Sequence, residues 1–252
     1  EFAKCMFPLN QVFDPAEWRW GYNHHWGHDP ERGKAFDRFE QRIVKKIQAY
    51  QVPVIIVMRE TPKEAICQVF EKVNTGGVSL TAFELLTASL AAEGYELRPD
   101  WERRRQHLHK HRVLRAVQNT DFLQAIALLV TYDAHLKARR EGRAADEIPA
   151  VSCKRREILR LTLSDYLAWA DRVQQGFVNA ARFLRRQYVF SERDLSYRTQ
   201  LVPLAAVLAW LGPNAEPLGV QDQLARWFWC GVLGELYGSA VETRFARDLP
   251  DL

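Results

Sequence analysis

A four-residue turn, Asn74-Thr75-Gly76-Gly77, places an amide side chain beside two adjacent glycines, between two predicted helices. Glycine lets a ligand approach the backbone closely, and N–H groups at the start of the following helix can bind an anion such as phosphate. The side chain of Asn74 would then hydrogen-bond a nucleotide or its attacking water. The alternative interpretation is that Asn74 and the two glycines only end one helix and begin the next.

Two capped helices are expected to hold this turn in place. Thr61 is a favourable N-cap, Pro62 suits the first helical position, and Glu64 completes a capping box for the helix before the turn. Thr81 and Glu84 form a second capping box at the start of the helix after it. Glu84 is also a candidate acid or base, although its capping role by itself accounts for its position.

A dense run of basic residues follows Trp101, on a helix predicted from Trp101 to about His111. The candidate nucleic-acid contacts in this run are Arg103, Arg104, Arg105, Lys110, Arg112 and Arg115. This density exceeds what solubility requires, and Trp101 is placed where it could stack on a base. The alternative interpretation is a solvated helix face whose charge is balanced by acidic residues elsewhere.

Other kinds of site find little support in the sequence. His24, His25 and His28 lie close together, but Gly21 and Gly27 interrupt the stretch and no nearby cysteine or carboxylate completes a ligand set, so we expect no metal. The four cysteines are scattered, with no Cys-x-x-Cys pair. There is also no Walker loop, Gly-x-Ser-x-Gly elbow or His-Glu-x-x-His motif. The sequence therefore identifies no catalytic residue and indicates no cofactor directly.

The turn and its flanks carry a longer pattern, Phe-x-x-x-Asn-x-x-Gly-x-x-Leu-x-x-x-Glu-Leu, at Phe70, Asn74, Gly77, Leu80, Glu84 and Leu85. This pattern resembles the signature of the GmrSD-type restriction endonuclease family, in the later part of its N-terminal ParB-like domain. The apolar run 52–57 resembles the strand that precedes the motif in that family. The resemblance implies a component of an antiphage restriction system that binds or senses foreign, modified DNA, with an NTP and Mg²⁺ as cofactors.

The chain also departs from that family. It lacks the upstream Asp-Gly-Gln-Gln-Arg motif to which the resemblance assigns nucleotide hydrolysis, and it lacks a C-terminal His-Asn-His nuclease. Because residue 1 is Glu rather than Met, we expect a fragment whose hydrolytic motif lies upstream. Whether the chain itself is an enzyme stays open. The alternatives are a helical protein-interaction or regulatory module without DNA contact or catalysis, and a hydrolase whose motif is degenerate.

The hydrophobic pattern predicts a mainly α fold, a multi-helix domain with a small β element near the N-terminus. The β element would comprise a strand at 51–59 and a weaker edge segment at 7–13. We expect residues 1–95 to form a partial ParB-like region that carries the turn, and residues 96–252 to form a helical domain. Within the first region, Asp29 and Pro30 are expected to begin a helix that runs to about Tyr50. The apolar stretch around Trp227, Phe228 and Trp229 is expected to be buried on all sides.

Composition sets broad limits on partners and location. The 252 residues carry a formal charge of +4, which permits an acidic partner without requiring one. No apolar run approaches the roughly 20 residues of a membrane span, and no signal-peptide pattern opens the chain. We therefore expect a cytoplasmic protein that does not enter a membrane. Its expected partners are DNA, another protein or a second copy of the chain.

Overall fold

The computed structural model describes residues 1–52 and 80–251, together with the single positions 54, 56, 58, 61 and 69. Contacts between Cα atoms divide the chain into two compact units, Glu1–Met58 and Arg59–Leu252, which we describe separately. The described residues confirm the mainly α class, and none of them lies in a strand. None of their helices is long and apolar enough to cross a membrane.

The first unit is built around a small aromatic core. Its helices are α1 (Ala16–His25), α2 (Pro30–Phe39) and α3 (Lys45–Gln48), with a π-helical segment, Glu40–Val44, between the last two. Trp18, Tyr22 and Phe36 are buried together, and the Trp18 and Phe36 rings stack at 5.6 Å between centroids. The predicted start of α2 is confirmed, because the Asp29 carboxylate accepts the backbone N–H groups of the first helical turn.

The expected β element is not seen among the described residues. The predicted edge segment at 7–13 is wrong, because Leu9–Gln11 forms a 3₁₀ turn after Pro8. The Phe7 ring packs instead against Trp18 and Phe39, with centroids 5.1 and 5.2 Å apart, which draws this segment into the aromatic core. In the predicted strand at 51–59, positions 53, 55, 57 and 59 lie outside the described residues, and the described positions between them are not in a strand.

The second unit consists of helices around one core. Between residues 80 and 251 they are α4 (Ala82–Ala91), α5 (Leu97–Leu108), α6 (Asn119–Arg140), α7 (Arg155–Arg160), α8 (Leu163–Arg186), α9 (Leu201–Leu211), α10 (Leu218–Leu233) and α11 (Val241–Asp251). Helix α9 is buried over most of its length and packs against α8 and α6. At Gly176 in α8 the two backbones approach so closely that a Cβ atom would collide with the carbonyl oxygen of Ala205 in α9.

Helix α10 is not buried on all sides, so the expectation for the stretch around Trp227 is wrong. Leu224, Phe228 and Gly231 form one buried stripe at helical spacing. Trp229 is 39% exposed and Leu233 is 82% exposed. The helix lies at the edge of the core, so one side meets the core and the other meets solvent.

Two buried aspartates are held by the same arrangement of side chains. Asp100 in α5 accepts hydrogen bonds from the Tyr166 hydroxyl at 2.6 Å and from the Arg104 Nε at 2.7 Å. Asp248 in α11 accepts one from the Tyr237 hydroxyl at 2.6 Å and forms an ion pair with Arg244 at 2.8 Å. Each buried carboxylate thus has both a tyrosine and an arginine as partners, as buried charges require.

Candidate nucleic-acid interface

A cleft of about 420 Å³ opens in the second unit where the residues after α5 meet the end of α8. We call it the cationic cleft. It is lined by Lys110, His111, Arg112, Val113, Ala181, Arg185, Val189 and Phe190. Its apolar residues Val113, Ala181 and Val189 are buried, whereas its basic residues Lys110, Arg112 and Arg185 are exposed.

The first wall is positioned by buried leucines and a valine. Helix α5 ends at Leu108, before the predicted end at His111, and Arg112–Leu114 forms a 3₁₀ turn. Leu108, Val113 and Leu114 are each at most 3% exposed and fix this segment to the core. The polar side chains that alternate with them, Lys110 and Arg112, are left on the surface.

The second wall is the last turn of α8 and the loop that follows it. Val189 is buried, whereas Phe190 is 54% exposed at the cleft. The Asp194 carboxylate accepts the backbone N–H groups of Phe190 at 3.0 Å and Ser191 at 2.8 Å, which holds the loop. Those hydrogen bonds lower the pKa of Asp194, so its carboxylate is ionised and fully used as a cap.

The cleft carries positive charge with little local compensation. Lys110, Arg112 and Arg185 are exposed. The charge of Arg112 helps to lower the pKa of Asp194, so one carboxylate of the loop partly offsets these three cations. Burial, with the neighbouring charges of His107 and Arg182, lowers the pKa of His111. Like charges gathered at one opening produce a positive potential that attracts anions.

Arg104 does not contribute to this surface. Its side chain is 11% exposed, and its guanidinium contacts Asp100 at 2.7 Å and Asp171 at 2.8 Å. It also donates a hydrogen bond to Gln174 at 3.1 Å. These partners engage the Nε and Nη1 groups of a side chain that is largely buried, so Arg104 is not part of the proposed interface.

The other predicted basic residues divide by their partners. Lys110 and Arg112 line the cationic cleft. Arg103 is 76% exposed and forms an ion pair with Asp100 at 2.9 Å, and Arg105 pairs with Glu102 at 2.8 Å. Arg115 is exposed and follows the 3₁₀ turn.

The sequence did not predict Arg185 and Phe190 as part of the site. A usable signal was present, because the helix ends at Arg185-Arg186 and the apolar segment 188–190 follows.

The predicted nucleotide-binding residues Asn74, Thr75, Gly76 and Gly77 lie outside the described residues. Their downstream flank is described, and it confirms the capping box. The Thr81 N–H donates to the Glu84 carboxylate at 2.8 Å, and the Glu84 N–H donates to the Thr81 hydroxyl at 3.3 Å. These bonds lower the pKa of Glu84, which suits a cap and does not suit a general acid at neutral pH.

No metal-ligand group appears in the described part of the chain, where no three His, Cys, Asp or Glu side chains are arranged to hold an ion. The His24 and His28 rings make an edge-to-face contact at 6.4 Å between centroids, and the His24 ring also stacks on Trp20. These histidines therefore take part in aromatic contacts of the first unit.

No family model, curated protein or solved structure matches the chain. The resemblance to the GmrSD-type endonucleases accordingly rests on the motif residues alone. The geometry of the cationic cleft is independent of that resemblance, because none of its residues belongs to the motif.

Proposed function

We propose that this chain binds nucleic acid through the cationic cleft, as a component of a GmrSD-like antiphage restriction system that binds or senses foreign DNA. The supporting observation is that Lys110, Arg112 and Arg185 line one cleft. The carboxylate of Asp194 lies near Arg112, and it already accepts two backbone N–H groups of the loop. Phosphate groups of a nucleic-acid backbone would supply further negative charge.

A network between the helices that lead into the cleft supports the same proposal. Arg104 and Asp100 hold α5 against Tyr166 of α8, so the two elements that lead into the cleft walls are tied together. A fixed separation of the walls would present the cations in a constant arrangement, and binding would then require little reorganisation.

Nucleotide hydrolysis is the part of the proposal that rests on the resemblance alone. In this proposal an NTP and Mg²⁺ are used by a hydrolytic motif upstream of the chain, and Asn74 faces the nucleotide. Leu80, which follows that turn in the sequence, is held in place, because Arg155 donates a hydrogen bond to its carbonyl oxygen at 3.0 Å. Phosphate release by the longer protein that survives Asn74→Ala would remove Asn74 from this role.

Salt-dependent binding tests the cleft directly. Fluorescence anisotropy with a labelled duplex, over roughly 50 to 300 mM KCl, gives the slope of log affinity against log salt, about −0.9 for each phosphate neutralised. We expect the triple variant Lys110→Gln, Arg112→Gln, Arg185→Gln to weaken binding and to make the slope less negative by about 2 to 3.

A matched control is available on α6. Lys137→Gln, Arg139→Gln, Arg140→Gln removes the same charge from exposed positions that do not line the cleft. We expect this control to change affinity only modestly, through the long-range field. Equal loss in the two triple variants would show a diffuse charge effect, and no loss in the cleft variant would overturn the proposal.

A second candidate function is protein interaction, for which α10 provides the observation. Trp229 and Leu233 lie one helical turn apart, and both are exposed, as is Leu236 after the helix. This apolar face could receive a partner subunit or a second copy of the chain. Light scattering would detect a dimer, and Leu233→Glu would abolish it. A monomer at high concentration that binds DNA favours the first proposal.

A further inference from the structure

Two exposed aromatic rings stand at the edge of the cationic cleft. Tyr188 is 82% exposed and Phe190 is 54% exposed, and Phe190 lines the cleft itself. Their rings meet edge to face, with centroids 6.5 Å apart. The proposed phosphate contacts do not involve either ring.

The backbone holds both rings outward. Tyr188 adopts a left-handed conformation with φ of 61°, which is uncommon for a residue with a bulky side chain. It is fixed on one side by a hydrogen bond from the Val189 N–H to the Leu184 carbonyl at 3.0 Å. On the other side, Asp194 accepts the Phe190 and Ser191 N–H groups. The loop is thus a defined structure that presents the rings, with Val189 anchored between them in the core.

Rings next to cations suit one class of ligand in particular. Proteins that bind single-stranded nucleic acid combine a positive groove for the backbone with aromatic side chains on which the bases stack. The bases of an intact duplex are stacked on each other, so their faces cannot reach Phe190 or Tyr188. A duplex would use only the cations of the cleft.

We infer that the cationic cleft binds single-stranded nucleic acid, or an unpaired stretch within a duplex, in preference to intact duplex. In this arrangement Lys110, Arg112 and Arg185 contact phosphates, while Phe190 and Tyr188 stack on bases. The inference rests on the proposed nucleic-acid binding and specifies its substrate class. Because every base has a π face, the preference should tolerate changes of sequence.

The first test compares a labelled single strand of about 15 nucleotides with the duplex of the same sequence, at one salt concentration. We expect tighter binding of the single strand. We expect the double variant Tyr188→Ala, Phe190→Ala to weaken binding of the single strand at least about fivefold, since stacking is worth that much or more per base. Its effect on the duplex should stay below about twofold, because the cations remain.

Matched substitutions separate stacking from simple apolar contact. Phe190→Leu keeps the apolar bulk and removes the aromatic face, whereas Phe190→Trp enlarges that face. Binding should weaken with leucine and be retained or strengthened with tryptophan. A 2-aminopurine base in the single strand gives a direct readout, because its fluorescence is quenched by stacking in the wild type and should recover in Phe190→Leu.

The possible failures are distinguishable. If the ring variants weaken single strand and duplex equally, or neither, the stacking inference is overturned, while the proposed function stands as long as the cleft triple variant still loses affinity. If no nucleic acid binds at low salt, both fail. Circular dichroism of each variant checks the fold, which the exposure of both rings leads us to expect unchanged.

Discussion

The hydroxyl of Tyr166 donates a 2.6 Å hydrogen bond to Oδ2 of Asp100, the same oxygen that accepts the Arg104 Nε at 2.7 Å. Asp100 is 6% exposed. Burial alone would raise the pKa of this carboxyl, but the hydrogen bonds from Tyr166 and Arg104 outweigh that effect and lower it. A buried, ionised carboxylate therefore joins α5 to α8, the two helices that lead into the walls of the cationic cleft.

Removing one hydroxyl should show what this bond contributes. We expect Tyr166→Phe to lower the free energy of unfolding by about 1 to 3 kcal/mol, because a buried carboxylate oxygen loses a donor. Urea denaturation monitored by circular dichroism measures the change. Tyr132→Phe is the control, since the Tyr132 ring packs on Trp210 and no hydrogen bond of its hydroxyl is seen among the described residues. Equal effects of the two substitutions would contradict this account.

Arg104 and Arg103 should differ in their contribution to stability although both form an ion pair with Asp100. Arg104→Ala leaves Asp100 without its buried partner, and we expect a loss of about 3 to 5 kcal/mol in the free energy of unfolding. Arg103 is 76% exposed, so Arg103→Ala should cost at most about 1 kcal/mol. Thermal and urea unfolding of the two single variants check this.

The difference in stability between Arg104→Ala and Arg103→Ala matters for the interpretation of DNA-binding measurements on arginine variants of α5. A variant that removes Arg103, Arg104 and Arg105 together would lose affinity by losing its fold, and this loss would resemble a lost DNA contact. If Arg104→Ala is as stable as Arg103→Ala, the Asp100 network is not the support that its geometry indicates.

His111 should make binding depend on pH. Its pKa lies below the ordinary value near 6.5, because of burial and the charges of His107 and Arg182. A bound phosphate beside it would favour the imidazolium form, so affinity should rise as the pH falls from about 7.5 to 5.5. The other charged groups at the cleft are Lys110, Arg112, Arg185 and Asp194, and the pKa of Asp194 is lowered by its backbone hydrogen bonds.

Anisotropy titrations at several pH values measure this effect, and His111→Gln should flatten the rise. His135→Gln serves as the control for general charge effects, because His135 lies in α6 and does not line the cleft. The free protein should respond in the opposite sense: since the folded pKa of His111 is lowered, the unfolded chain binds the proton first. The contribution of His111 to stability is therefore full above about pH 6.5 and decreases as the pH falls below it. Binding that weakens on acidification would exclude His111 from the contact.

Local chemistry made part of this fold predictable from sequence. Capping depends on residues three positions apart, so the Thr81 and Glu84 box and the Asp29 cap could be read directly. The burial of Arg104 in an ion-pair network could not be predicted, because Asp171 and Tyr166 come from a helix that is distant in the sequence. In the sequence, nothing distinguishes Arg104 from the neighbouring arginines.

For the same reason, the sequence predicted only some of the residues that line the cationic cleft. Lys110 and Arg112 belong to a local run of basic residues, which a sequence scan detects. Arg185 and Phe190 reach the cleft only because α8 packs beside the 3₁₀ turn, and helix packing is set by the whole core. The outer side of α10 was misjudged likewise, since an apolar composition does not tell which face the core covers.

Gly176 offers a test of the core that supports these sites. An alanine Cβ there would collide with the carbonyl oxygen of Ala205 and lie 2.9 Å from the Cβ of Ala209, so α8 and α9 would have to separate. We expect Gly176→Ala to lower the free energy of unfolding by about 1 to 3 kcal/mol, the range for overpacking a well-filled interior.

Gly219→Ala in α10 is the matched control, because nothing lies within 4 Å of a Cβ built there. That change should be neutral or slightly stabilising, since alanine favours the helix. Urea midpoints of the two variants decide the matter, and a Gly176→Ala protein as stable as the wild type would show that α8 and α9 are not packed this closely.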